Sequence, residues 1–239
     1  LEFVILMAAL MSIVALSIDA VLPALPKIGD YLNSVNETDN QKLITAIFLG
    51  LGFGQLIFGP LSDSFGRKPM VYFGFGVFVI ASIICITTRN FEVMLFGRVL
   101  QGVGLSSPRT MSIAIVRDSY NGDHMAKILS IVTMTFILVP VIAPMLGQFL
   151  LIHFGWQSIF TVNLVFGSMI IIWFWRRQPE TLHNSYQKTF HLSIFKTGTI
   201  TFFRIKSAVI YTLLSGLVTG SFMVYLSTSQ QIFQVQYDL

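Results

Sequence analysis

Residues 59–69 read GPLSDSFGRKP and connect two long apolar stretches of the chain. A connection this short must reverse the chain within a few residues. Gly59 and Gly66 are therefore predicted to supply backbone freedom for the turn and for close contact between helices. Asp63 lies about one helical turn before Arg67, a spacing that allows a carboxylate–guanidinium contact. The stretch predicts a tight, charged hairpin between two membrane-spanning helices.

The composition agrees with a membrane protein. Of the 239 residues, 54% are hydrophobic and 11% are charged, whereas a soluble domain has about 25% charged residues. The single cysteine excludes a disulfide framework, and the four histidines lack metal-ligand spacing. We find no nucleophile–base pair, metal cluster or phosphate loop, so the sequence predicts no enzyme, no metal site and no cofactor.

Seven stretches are long and apolar enough to cross about 30 Å of hydrocarbon as helices. They are residues 3–24, 42–61, 70–88, 93–116, 128–151, 157–175 and 208–226. Ten basic residues lie in the connections on one side of these spans, against Lys27, Lys42 and Arg89 on the other. The ten are Arg67, Lys68, Arg117, Lys127, Arg176, Arg177, Lys188, Lys196, Arg204 and Lys206. This bias predicts that the ten, and the N-terminus with them, are cytoplasmic. It also explains the basic balance of the chain without nucleic acid.

The spacing of the spans predicts three parts. Residues 1–175 form a six-helix bundle, residues 176–207 form a basic cytoplasmic linker, and residues 208–239 form the first helix of a second bundle with the start of an outer loop. The fold class is therefore an all-α integral membrane protein, and the chain looks incomplete because no eighth span follows.

Asp19 is the only acidic residue deep in any predicted span, within the stretch IDAVLPALP. Pro23 lies four residues later and leaves the carbonyl of Asp19 without its helical partner, so the region must face protein or water. A simpler alternative is that Asp19 marks the exit of the helix and that the prolines start the loop. We expect Arg98, also in the outer part of its span, to lie near Asp19.

The fourth span holds two arginines, Arg98 and Arg109, together with Gln101. A guanidinium inside the membrane costs at least about 2.5 kcal/mol, so each needs a partner or a water-filled cavity. For Arg109 the alternative is that its side chain snorkels towards the cytoplasm. In the fifth span, Pro140 and Pro144 leave two carbonyls unbonded on one face, which is therefore predicted to be packed or to line a cavity.

These motifs resemble the major facilitator superfamily. The hairpin matches its loop G-x-L-x-D-x-x-G-R-K at every fixed position, and the fourth span carries its R-x-x-Q-G motif. The fifth span keeps A-P-x-x-G, with Pro144 and Gly147, but has Val139 and Gln148 where the antiporter motif has glycines. The A-P-x-x-G form resembles the Bcr/CflA-type drug:proton antiporters. The same branch is resembled by the motif D-x-x-L-P-A-L-P at the end of the first span and by the segments RDSY, FGWQSIF and PETL. Gln157 departs from the arginine usual in this branch.

The resemblance implies a fold of two six-helix halves, each an inverted pair of three-helix repeats, with a substrate site between the halves. It implies proton-coupled export of small, fairly apolar compounds across the bacterial inner membrane, by a monomer whose partners are the substrate, protons and lipid. It implies coupling residues Asp19, Arg98, Gln101 and Arg109, and a helix shaped by Pro140, Pro144 and Gly147. The implied cytoplasmic gating loop consists of Gly59, Asp63, Gly66, Arg67, Lys68, Arg117 and Asp118. The alternative is a truncated or split half that serves as a membrane interaction module without transport.

Overall fold

The computed structural model describes residues 1–34, 37–183, 187 and 193–230, and it divides into two compact units, Leu1–Lys188 and Thr189–Leu239. The predicted outer loop at residues 231–239 and the predicted linker residue Lys188 lie outside the described residues. The two units are described separately.

The first unit is built from helices. They are α1 (Glu2–Asp19), a 3-10 turn (Leu22–Ala24), α2 (Leu25–Tyr31), α3 (Glu37–Asn40), α4 (Lys42–Phe65), α5 (Arg67–Thr87), α6 (Phe91–Ser119), α7 (Gly122–Phe154) and α8 (Gln157–Arg177). Helix α6 packs against α1, α4 and α5, and α1 also packs against α7 and α8. The N-terminus and the loops before α5 and α7 share one end, where the rings of Phe3 and Tyr120 lie 5.5 Å apart. We call this the basic end of the bundle.

Five helical segments of the described part are long and apolar enough to cross a membrane. They are Glu2–Tyr31, α4, α5, α7 and α8. Helix α6 contains the predicted span 93–116 and is long enough, with 29 residues, but it is not among the five. Its polar residues include Arg98, Gln101, Ser106, Ser107 and Ser112, all buried inside the bundle. The neighbouring helices therefore enclose these polar side chains, which is how polar residues are accommodated at membrane depth.

The hairpin of residues 59–69 is tighter than the sequence predicted. Helix α4 continues to Phe65 and α5 begins at Arg67, so only Gly66 separates the two helices. Gly66 has φ +99°, a conformation that side-chain-bearing residues rarely adopt. Gly59 was expected to serve the turn or a close helix contact, and this prediction is wrong. It lies inside α4, and a Cβ added there meets nothing within 4 Å.

Glycines allow α4 and α6 to approach each other at backbone distance. A Cβ on Gly50 would overlap the carbonyl oxygen of Val99, and a Cβ on Gly102 would overlap that of Ile47. The neighbouring Gly52 is exposed and meets nothing within 4 Å. A Cβ on Gly54, four residues after Gly50, would overlap the side chain of Ser106 on α6. Small residues four apart thus pack α4 against α6, as expected for helix association in a membrane.

The substitution Gly50→Val is expected to lower the apparent unfolding temperature of the chain, because the obstructing atoms belong to the backbone and cannot rotate away. Overpacking of this kind costs about 1–3 kcal/mol and more where the backbone must shift. The measurement is thermal unfolding in detergent, with Gly52→Val as the matched control on the same helix. Equal unfolding temperatures for the two variants would contradict the described α4–α6 crossing.

The second unit contains α9 (Ser193–Arg204) and α10 (Lys206–Gln230). The predicted seventh span, residues 208–226, falls within α10. The segments Thr197–Arg204 and Lys206–Ser221 meet at an angle of 92°. Together they are apolar enough to count as one bent span.

Candidate functional site

Asp19 is the last residue of α1 and is buried, with 3% of its surface exposed. The chain restarts as a 3-10 turn that contains Pro23, which has no N–H to donate to the carbonyl of Asp19. Both sequence interpretations therefore hold in part, because the residue marks the end of a helix and is also buried. Within the described part of the chain, the Asp19 carboxylate has no ion-pair or hydrogen-bond partner.

The region beside Asp19 is closed by α7. A Cβ on Gly147 would overlap the carbonyl oxygen of Ala20, so only glycine permits this contact. Ala143 is also buried, and Pro140 and Pro144 are half-buried. The proline-bearing face of α7 is therefore packed against protein, as predicted from the unbonded carbonyls.

Arg98 is completely buried and ties α6 to its neighbours. Its Nε donates to the carbonyl of Leu43 at 3.3 Å, and its Nη1 donates to the carbonyl of Ser17 at 3.2 Å. Nη1 also donates to Gln101 Oε1 at 2.7 Å. The guanidinium carbon lies 5.7 Å from the centre of the Phe160 ring, a cation–π distance. These contacts reach α1, α4 and α8.

Gln101 extends this network to α5. Its Nε2 donates to Ser82 Oγ at 3.0 Å, and Ser82 Oγ donates to the carbonyl of Phe78 at 2.8 Å. Arg98 and Gln101, two of the coupling residues that the resemblance implies, are thus in contact with each other. Ser82 was missed, since a serine in an apolar span gives no signal that separates this contact from a bond to its own helix.

The expected proximity of Asp19 and Arg98 does not extend to an ion pair. No Asp19 oxygen is within ion-pairing distance of the Arg98 guanidinium. Main-chain carbonyls and Gln101 take up Nε and Nη1. Among the described residues, Nη2 of Arg98 is buried without a hydrogen-bond partner. Arg98 is nevertheless linked to the helix that carries Asp19, because it donates to the carbonyl of Ser17 on α1, two residues before Asp19.

Arg67 is the centre of a charge network at the basic end. Its Nη1 donates to Asp63 Oδ1 at 2.7 Å and to Ser62 Oγ at 2.5 Å. Its Nε donates to Asp118 Oδ2 at 2.9 Å. One guanidinium thus joins two carboxylates from α4 and α6, which matches the contact predicted for Asp63 and adds Asp118. The Nζ of Lys68 points elsewhere and donates to the carbonyl of Trp175 at 3.2 Å.

Glu180 completes the network, although nothing in its sequence position marks it as a site residue. Its Oε1 accepts from the backbone N–H of Arg67 and its Oε2 from that of Lys68, both at 2.9 Å. These are orphan donors at the start of α5, where a negative charge is favourable. A Cβ on Gly66 would lie 2.7 Å from Glu180 Oε2. The glycine therefore serves the turn and also leaves room for the carboxylate.

The substitution Glu180→Ala is expected to destabilise the first unit by about 1–2 kcal/mol, because two N–H groups of α5 lose their acceptor. Glu180→Gln keeps one acceptor oxygen and should give a loss of stability between those of the unchanged chain and Glu180→Ala. Thermal unfolding in detergent measures both. Glu2→Ala is the control, since its contacts with Arg177 at 3.0 Å and with Trp173 Nε1 at 3.2 Å are both exposed and contribute little. An unfolding temperature unchanged in Glu180→Ala would show that the cap is not formed.

A cleft of about 610 Å³ runs between α4 and α6 from the middle of the bundle to its basic end. Six of the residues that line it are site residues predicted from the sequence: Gly59, Asp63, Arg67, Arg109, Arg117 and Asp118. The guanidinium carbon of Arg109 lies 5.5 Å from the centre of the Phe136 ring on α7. The structure therefore brings five of the seven predicted gating-loop residues and Arg109 to one cleft, apart from the Arg98 network, whereas Gly66 and Lys68 do not line it.

Comparisons with known proteins agree with this architecture. The family model described as Major Facilitator Superfamily matches residues 7–239. Multidrug resistance protein MdtL of Escherichia coli O81 (strain ED1a) is 32% identical over 171 residues, which cover 72% of this chain and 44% of that protein. The bicyclomycin resistance protein homolog of Haemophilus influenzae is 25% identical over 231 residues, covering 97% of this chain and 58% of that protein.

A solved structure of the peptide transporter POT in complex with sulfate superposes with a TM-score of 0.66 at 16% identity, covering 92% of this chain and 46% of that one. This likeness supports the fold alone. The chain spans about half the length of the curated relatives it matches. The relatives named for bicyclomycin and multidrug resistance agree with the resemblance to the Bcr/CflA-type branch. By the match of the family model over nearly all of its length, the chain belongs to the major facilitator superfamily.

Proposed function

We propose that this chain is part of a proton-coupled exporter of small, fairly apolar compounds that works by alternating access. Membership of the superfamily identifies a transporter rather than an enzyme. Relatives named for multidrug and bicyclomycin resistance support a drug as the cargo. The observation that carries proton coupling is Asp19, a carboxylate buried at a break in a membrane helix with no cation at pairing distance among the described residues.

Asp19 is proposed to carry the proton. An ionisable residue within a membrane segment is by default a functional candidate. A carboxyl group without a fixed counter-ion can alternate between its charged and neutral forms as the conformation changes. Protonation favours drug release in one state, and deprotonation favours drug capture in the other. A bound proton shifts the two populations only by its difference in affinity for the two states.

Arg98 and Gln101 are proposed to position the helices around this carboxyl group. Arg98 donates to α1 two residues before Asp19 and to α4, and Gln101 reaches α5. A movement of α1 after proton binding would therefore strain hydrogen bonds on several helices at once. Such a shared network is a physical route for coupling the proton site to the rest of the bundle.

The Arg67 network is proposed to be the latch of the inward-closed state. It links α4, α5, α6 and the segment after α8 through Asp63, Asp118 and Glu180. The proposed location is the bacterial inner membrane, with the basic end in the cytoplasm. No cofactor is proposed, because the proton gradient supplies the energy.

The test is transport in inverted membrane vesicles that contain the full-length protein. An inside-acid pH gradient is expected to drive ethidium or chloramphenicol into the vesicles, and a protonophore should stop it. Vesicles without the protein are the control. If neither compound accumulates in response to the gradient, the export proposal is wrong.

A further inference from the structure

The cleft between α4 and α6 holds a guanidinium for which the described residues supply no counter-ion. Five charged residues line the cleft: Asp63, Arg67, Arg109, Arg117 and Asp118. Arg67 is occupied by both aspartates at 2.7 and 2.9 Å. Arg109, at the deep end, has no carboxylate within pairing distance among the described residues.

The depth of Arg109 makes this arrangement costly. The residue lies ten positions before the end of α6 at Ser119, or about 15 Å along the helix. A guanidinium at membrane depth costs at least about 2.5 kcal/mol unless it is paired or hydrated. The stacking on Phe136 offsets part of this cost, because the ring face attracts the cation. In the described part of the chain, the planar N–H donors of the guanidinium, which match a carboxylate in a bidentate pair, have no acceptor.

The cleft has the volume of a small-molecule site, and its lining is mixed polar and apolar. Its volume of about 610 Å³ falls within the range of about 300–1,000 Å³ for ligand pockets. Gln55 and Thr110 supply polar groups beside Arg109, and Ile113 and Ala114 supply apolar surface. An acidic side chain from another helix would fill only a small part of this space.

We propose that the cleft binds a small monoanion whose carboxylate pairs with Arg109 and whose body contacts Ile113 and Ala114. This inference rests on the proposed export function, since it names one class of ligand for that transporter. Three arginines against two aspartates suit one negative charge, and the carboxylates of Asp63 and Asp118 near the basic end disfavour a more highly charged anion. The proposed ligand of the cleft is therefore a small molecule with a single carboxylate.

The test is equilibrium binding to the whole chain in lipid nanodiscs, measured by the ¹⁹F NMR line broadening of 4-fluorobenzoate. The neutral isostere 4-fluorobenzamide reports apolar and lipid partitioning alone. The chain is expected to bind the benzoate more tightly than the benzamide, and Arg109→Gln should raise the Kd for the benzoate by about tenfold or more. Arg109→Lys keeps a cation and should raise the Kd for the benzoate less than Arg109→Gln does. Arg89→Gln is the control, since Arg89 is exposed in the connection before α6.

The proposal is overturned if the chain binds both probes equally, or if Arg109→Gln binds the benzoate as the unchanged chain does. If Arg109→Gln fails to fold, a competition experiment on the unchanged chain replaces it. The proposal then requires that unlabelled benzoate displaces 4-fluorobenzoate and that benzamide does not. No proton gradient is involved. A failure of pH-driven export with intact benzoate binding would therefore refute the proposed function and leave the anion site standing.

Discussion

The substitution Asp19→Asn is expected to reduce pH-driven export to the level of vesicles without protein. Asparagine has nearly the shape of aspartate but cannot bind and release a proton. Because Asp19 has no ion-pair partner among the described residues, its replacement breaks no ion pair described here. The variant should therefore fold and insert normally, so that any loss reports on coupling rather than on stability.

The measurement for Asp19→Asn is the accumulation of chloramphenicol in inverted vesicles across a series of imposed pH gradients. The rate of chloramphenicol accumulation should not depend on the pH gradient in the variant, whereas it should rise with the pH gradient in the unchanged protein. Glu92→Gln is the control, since Glu92 is an exposed acid in the first turn of α6. Coupling retained in Asp19→Asn would exclude Asp19 as the required proton carrier.

The substitution Arg67→Met is expected to open the proposed latch. It leaves two carboxylates near each other without the guanidinium that joins them, and they then repel. The Arg67 side chain is 11% exposed and its partners are 32% and 23% exposed. We expect a cost between those of exposed and buried pairs, about 2 kcal/mol. This corresponds to a shift of about thirtyfold in the balance between the closed and open states.

The reporter for this shift is the labelling rate of a cysteine in the cleft. Cys85 is the only cysteine of the chain and is buried, so Ile113→Cys in a Cys85→Ser background gives a single site. The maleimide labelling rate should rise in Arg67→Met. Lys68→Met is the matched control, because Lys68 belongs to the same loop but bonds only the carbonyl of Trp175 through its side chain. Equal rates in the two variants would refute the latch.

The local features of the sequence were predictable where geometry leaves few choices. A charged hairpin between two spans required a glycine with positive φ, and Gly66 has it. Two prolines one turn apart in α7 required a face turned to protein, and Ala143 and Gly147 are buried there. In both cases the backbone chemistry of one or two residues decides the structure.

The contacts between distant segments could not be predicted. The Arg98 side chain is held chiefly by carbonyls of Leu43 and Ser17, and a main-chain acceptor leaves no mark in the sequence because every residue has one. Glu180 caps α5 from 113 positions away. Glu180 lies in the segment PETL, which resembles the Bcr/CflA-type branch. Only the packing of α8 beside α5 shows what its carboxylate contacts.

The central claim is that substrate and protons move in opposite directions through Asp19. It is tested most directly in liposomes that contain the full-length protein and enclose the pH dye pyranine. Tritiated chloramphenicol is added outside without an imposed pH gradient, and its uptake is recorded together with the internal pH. The account predicts that the interior becomes more alkaline as the compound enters, and that Asp19→Asn abolishes this change. Uptake with an unchanged or falling internal pH in the unchanged protein would contradict it.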